Sequence, residues 1–94
     1  MVIGSCTIHL YLPASQSLKD KRSVLKSTMR RIRNEFNVSI AEVEDNDLLQ
    51  SAVLGVVTVA NDSAYAHGLL THVVNWIERT RLDAQLVDFQ IEML

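Results

Sequence analysis

Ser51-Ala52-Val53-Leu54-Gly55-Val56-Val57-Thr58-Val59-Ala60 is the stretch on which the fold turns. It is apolar on both sides, Leu54 and Val56 against Val53, Val57 and Val59, and so reads as a strand in the middle of a sheet. Downstream, Asn61, Asp62 and Ser63 offer three helix caps. The helix they begin is expected to run to about Arg81, burying Ala66, Leu69, Leu70, Val73, Trp76 and Ile77. Gln85 to Leu94 then alternates, with Val87, Phe89, Ile91 and Met93 inward and Asp88, Gln90 and Glu92 outward, the period of a half-buried strand.

Working upstream, Glu44-Asp45-Asn46-Asp47 and Leu48-Leu49-Gln50 connect this strand to an earlier one, Val38 to Val43. Before that a helix should start at Ser17, an N-cap with Asp20 three positions on as a capping-box partner. Its apolar residues Leu18, Leu25, Met29, Ile32 and Phe36 fall within roughly 60° at about 100° per residue, a buried stripe. Asn37 is expected to stop it in a left-handed conformation. Val2 to Leu12 is the first strand. Val2, Cys6, Ile8, Leu10 and Leu12 face one side, Ser5, Thr7, His9 and Tyr11 the other, and Pro13 ends it.

The order β-α-β-β-α-β predicts one α+β domain over residues 1–94. It is a ferredoxin-like βαββαβ sandwich, a four-stranded antiparallel sheet with two helices on one face and right-handed crossovers. Strands one and three are expected to form the central pair and to run parallel to each other. Of the 94 residues, 48% are hydrophobic and 21% charged, which suits one globular core. No apolar run approaches the roughly 20 residues of a membrane helix, and the N-terminus lacks the regions of a signal peptide. Cys6 is the single cysteine, so neither an intrachain disulfide nor a thiolate zinc site is available. A cytoplasmic location without membrane attachment is expected.

The chemistries this fold commonly carries are not supported by the residues. Cys6 shares the side of Ile8 and Leu10, where a thiol with no cationic neighbour is inert. His67 and His72 lie about 140° apart on a helix, too far around to share a metal. His9 on the open sheet face suits a surface role better than catalysis. Asp45-Asn46-Asp47 lacks the glycine and terminal glutamate of a calcium loop. Leu12-Pro13-Ala14-Ser15-Gln16 is neither the glycine-rich, arginine-bearing loop of an acylphosphatase nor the Cys-x-x-Cys of a copper chaperone. The base-stacking aromatics of an RNA-recognition motif are missing from strand three, and Asp88 and Glu92 would repel phosphates. No enzyme activity, cofactor or metal is expected.

Charge is the feature that remains. Seven of the nine Lys and Arg residues lie between Lys19 and Arg33, opposed there only by Asp20, for a local charge of +6 within a chain of −2. Lys19, Arg22, Lys26, Arg30 and Arg33 follow at +3, +4, +4 and +3, within roughly 80° of arc beside the buried stripe. They span about 21 Å of helix. A solvated face normally mixes signs to gain i,i+4 pairs, and this one does not. Lys19, Lys21 and Arg22 also oppose the macrodipole in the first turns, and with the free N–H groups there would form a phosphate seat. Lys21 and Arg31 lie off the ridge and are expected to add diffuse attraction.

Ser17-Leu18-Lys19-Asp20-Lys21-Arg22, then Asn37-Val38-Ser39-Ile40-Ala41-Glu42-Val43, and on through Leu54-Gly55-Val56, resembles the YlxP-like family across essentially the whole chain. These are small bacterial proteins grouped as a domain of unknown function. The resemblance implies a ferredoxin-like fold and a bacterial cytoplasmic protein. Its members are often encoded beside translation initiation and ribosome-maturation factors. The family supplies no catalytic residues to carry over. The expectation is therefore a non-enzymatic accessory protein that binds RNA or a ribosomal subunit through the ridge. The alternative is a self-associating interaction module, a homodimer through an open sheet face bearing Val53, Val57, Val59, Ala41 and Tyr11. An acidic protein surface, such as the Glu42-Glu44-Asp45-Asp47 cluster of another copy, is a further partner for the ridge.

Overall fold

Every residue from Met1 to Leu94 is described in the computed structural model. Its elements run β1 (Val2–Tyr11), α1 (Leu18–Glu35), β2 (Ser39–Glu44), β3 (Ser51–Ala60), α2 (Ser63–Arg79) and β4 (Gln85–Met93). The sheet order is β2-β3-β1-β4, and each neighbouring pair is antiparallel. This is the ferredoxin-like α+β sandwich.

The central pair does not run parallel as expected: β1 and β3 are antiparallel from Val2↔Ala60 to Tyr11↔Ser51. The reason lies in the two βαβ crossovers. Each skips one sheet position, and the strand that fills the gap comes from the other half and runs the opposite way. The parallel relations are β1 with β2 and β3 with β4, each across an intervening strand.

The register places Cys6 opposite Val56, Ile8 opposite Leu54 and Leu10 opposite Ala52, so these side chains share one sheet face. Both helices pack there, and Leu25, Ile32, Leu70, Val73, Val74, Trp76 and Ile77 join them in one core cluster. The other face of β3 is open. Val57 is 38% and Val59 59% exposed there, whereas Val53 on the same face is buried at 8%, so β3 is central by strand order and is covered on both sides only near its start.

Three local expectations change. On α1 the fully buried residues are Lys21, Leu25, Thr28 and Ile32, at +4, +3 and +4, so the helix is rotated from the stripe predicted by apolarity alone. Leu18, Met29 and Phe36 are its partly buried flank. Asn37 does not close the helix in a left-handed turn. Phe36 is the C-cap, extended at φ −131 with its N–H on Ile32 O, and turns the chain into β2 while packing against the core. On β4 the register shifts between His9 and Leu10, so that Leu86 faces Leu10, Asp88 faces His9, and Val87 is the extra residue. Leu86 and Ile91 then pack on the core, whereas Val87, Phe89 and Met93 are largely exposed along this edge strand. No helix is long and apolar enough to cross a membrane.

Candidate nucleic-acid interface

The start of α1 is tightly fixed. Ser17 Oγ accepts from Asp20 N at 3.0 Å, and Asp20 Oδ2 accepts from Gln16 N at 3.1 Å. Such reciprocal bonds satisfy donors that a helix start otherwise leaves open. Of the N–H groups expected to seat a phosphate here, that of Asp20 is therefore already taken by Ser17, and the Asp20 carboxylate sets a negative charge beside the rest.

With Lys21, Leu25, Thr28 and Ile32 turned into the sandwich, the rotation of α1 is set. Lys19, Arg22, Lys26, Arg30 and Arg33 are centred roughly 130° away around the helix at about 100° per residue, and all five are exposed. Arg33 leans toward β2, its Nη1 lying 3.5 Å from Ile40 O, at the limit of a hydrogen bond. The molecule's sole ion pair is Lys21–Glu42, so none of the five has a carboxylate within 4.0 Å. The ridge is thus an uncompensated row of cations, anchored by a rigid helix beneath it.

Lys21 does not belong to the surface charge. Its side chain is 1% exposed, and its Nζ donates to Asp45 O at 2.5 Å and Leu48 O at 2.7 Å. Glu42 Oε2 lies 2.8 Å from the same nitrogen, off the angle of a directed hydrogen bond and with no other donor. A buried ammonium is tolerated only when its donors are satisfied and its charge is opposed. Here α1 is pinned to the end of β2 and to the β2–β3 connection, where Asp45 adopts φ 62. The expected diffuse role of Lys21 is therefore overturned. Glu42 is correspondingly withdrawn from the acidic cluster expected to offer a surface to another copy.

Arg31 is exposed but turned toward α2, with its guanidinium 5.3 Å from the centroid of Trp76. That distance is within cation–π range. It is separate from the ridge, as its wheel position implies.

A hydrogen-bonded chain at the open-face end of β1 could not be read from spacing. His9 Nε2 lies 2.9 Å from Ser51 Oγ, which donates to Asp45 Oδ2 at 2.8 Å. These are the residue types of a hydrolytic triad, but the serine stands in the middle. Its proton is committed to the carboxylate, so His9 must donate to Ser51 and cannot act as its base. The chain ties the β2–β3 connection to β1. Cys6, 1% exposed, has its thiol pushed up from 9.0 to about 11 by burial, against a smaller lowering from a backbone hydrogen bond at Gln90. It is protonated and unreactive at neutral pH. No three His, Cys, Asp or Glu side chains come together as a metal site.

A family described as a protein of unknown function (DUF503) matches residues 3–91, and the chain belongs to it. The chain is also similar to the uncharacterized protein YlxP of Bacillus subtilis (strain 168). The two are 32% identical over 77 residues, which cover 82% of this chain and 84% of that one.

Proposed function

We propose that this is a non-enzymatic, cytoplasmic accessory protein that binds RNA, free or within a ribosomal subunit, along the ridge Lys19-Arg22-Lys26-Arg30-Arg33. The observation that carries this reading is five exposed cations on one rigid helix with no carboxylate among them. A row of about 21 Å spans several phosphates. Cations on a phosphate chain position a partner without reading bases, so sequence preference is weak.

Neutralising five phosphates on single-stranded RNA gives a slope of log K against log salt of about −3.5. Filter binding across salt concentrations measures it, and a flat response refutes RNA binding by the ridge. Co-sedimentation with ribosomal subunits extends the test with a Lys26→Glu, Arg30→Glu, Arg33→Glu variant. Loss of three charge-assisted contacts should weaken association at least about a hundredfold. Equal association of the folded variant removes the ridge as the binding surface.

A second reading has its own support. Val43, Val57, Val59 and Tyr11 are 53%, 38%, 59% and 42% exposed, leaving apolar side chains on the open side of the sheet. An apolar sheet face of this kind suits a two-fold homodimer. Light scattering that finds only monomer excludes it.

A further inference from the structure

A cleft of about 260 Å³ lies between α1 and the α2–β4 connection. Ser23, Ser27, Thr28 and Arg31 line it from the helix, and Arg81 and Asp83 from the connection. Neither guanidinium has a carboxylate within ion-pair distance, since the only such pair in the molecule is Lys21–Glu42. Arg31 is held over Trp76, which limits its freedom before any ligand arrives. The Thr28 hydroxyl is committed to Val24 O at 2.9 Å, while those of Ser23 and Ser27 have no protein partner. Asp83 is the one opposing charge.

We infer that this cleft is a binding site for a phosphate monoester, with Arg31 and Arg81 as its guanidinium ligands and the Ser23 and Ser27 hydroxyls as neutral donors. Two forked cations suit an anion that presents several oxygens and close to two charges. A carboxylate, with two oxygens in place of three or more, offers fewer acceptors to the two forks and two hydroxyls. The site differs from the ridge in shape and in number of charges. It is concave and takes one group, where the ridge is convex and tracks many. On the helix wheel Ser23 and Ser27 separate the two, so the cleft can operate whether or not the ridge binds RNA. The monoester could be that of a free nucleotide or the 5′ end of an RNA strand, and the test distinguishes them.

Amide resonances are followed during titration with inorganic phosphate and with adenosine monophosphate, against chloride at equal ionic strength. Saturable shifts are expected at Ser23, Ser27 and Arg81. Arg81→Ala, in an exposed connection, should weaken binding at least about tenfold, the loss of one charge-assisted contact. Arg31→Lys keeps the charge over Trp76 but loses the fork, and should weaken it by a smaller factor. Asp83→Asn should tighten binding, a change that mere structural damage would not produce. The ridge triple variant lowers the charge of the helix by six, so it should weaken phosphate binding only by an amount that added salt removes, whereas the Arg81→Ala loss persists in salt, which separates this site from the RNA reading. In a parallel arm, short RNAs with 5′-phosphate and 5′-hydroxyl ends are compared. An Arg81-dependent preference for the phosphorylated end assigns the site to RNA termini, and dependence with the mononucleotide alone assigns it to a free metabolite. Shifts that match chloride, or affinities for phosphate, nucleotide and RNA that are all indifferent to Arg81→Ala, overturn the site.

Discussion

The two flanks of α1 use the same kind of residue in opposite ways. Lys19 and Arg22 lie in water on the ridge, while Lys21 between them is sealed against Glu42 and two backbone carbonyls. Exposed cations keep their hydration and cost the fold little. A buried one must replace its hydration with fixed oxygens, and the surroundings are then committed to it. A charged stretch in a sequence can therefore hold buried structural cations and solvent-exposed ones side by side, separated by only 100° of helix per residue.

Removing the buried partner tests this contrast most severely. Lys21→Met should cost about 3–5 kcal/mol, because Glu42 is left charged in a poorly hydrated position. Urea denaturation reads the loss. The double variant Lys21→Met, Glu42→Leu should recover most of it, since an apolar pair of similar volume often replaces a buried ion pair without penalty. A single-variant loss under about 1 kcal/mol would mean that Lys21 is not the pin it resembles.

A smaller effect comes from Cys6, deep on the same inner side. Its folded-state pKa is raised from 9.0 to about 11 by burial. Below pH 9 both folded and unfolded chains hold the proton, and the stability linked to this group is fully present. Above it the unfolded chain loses the proton first, so stability should fall by about 1.4 kcal/mol per pH unit until the folded thiol also ionises. Denaturation midpoints between pH 8.5 and roughly 10.5, wild type against Cys6→Ala, isolate this dependence, and equal slopes would contradict it.

The smallest effect belongs to the ridge. Reversing Lys26, Arg30 and Arg33 to Glu should change folding stability by no more than about 1 kcal/mol, since exposed substitutions without partners rarely do more. A loss several times larger would make the ridge part of the scaffold and remove the contrast.

Periodicity revealed the six elements and their order because each is long and buries one side. Ser17 and Asp20 were legible as a cap because that chemistry is local. The direction of β3 relative to β1 was not, since it follows from how two crossovers interleave. The exposed residues of β4 were hidden for a similar reason: Val87, Phe89 and Met93 alternate as a buried strand would, yet edge position and a bulge leave them open. Lys21 did leave a signal. It stands four residues before Leu25 on the line continued by Thr28 and Ile32, but polarity masked it.

By itself the sequence determined where charge and apolar surface concentrate, because these are set by residue type and by the fixed periods of helix and strand. It thereby determined the βαββαβ order and the five-membered ridge. Tertiary structure alone decided which cations stay in water, which hydroxyl meets which carboxylate, and that Arg31 and Arg81 face one cleft. Those relations join residues of different elements and connections, and only packing brings them within the few ångströms over which hydrogen bonds and ion pairs act.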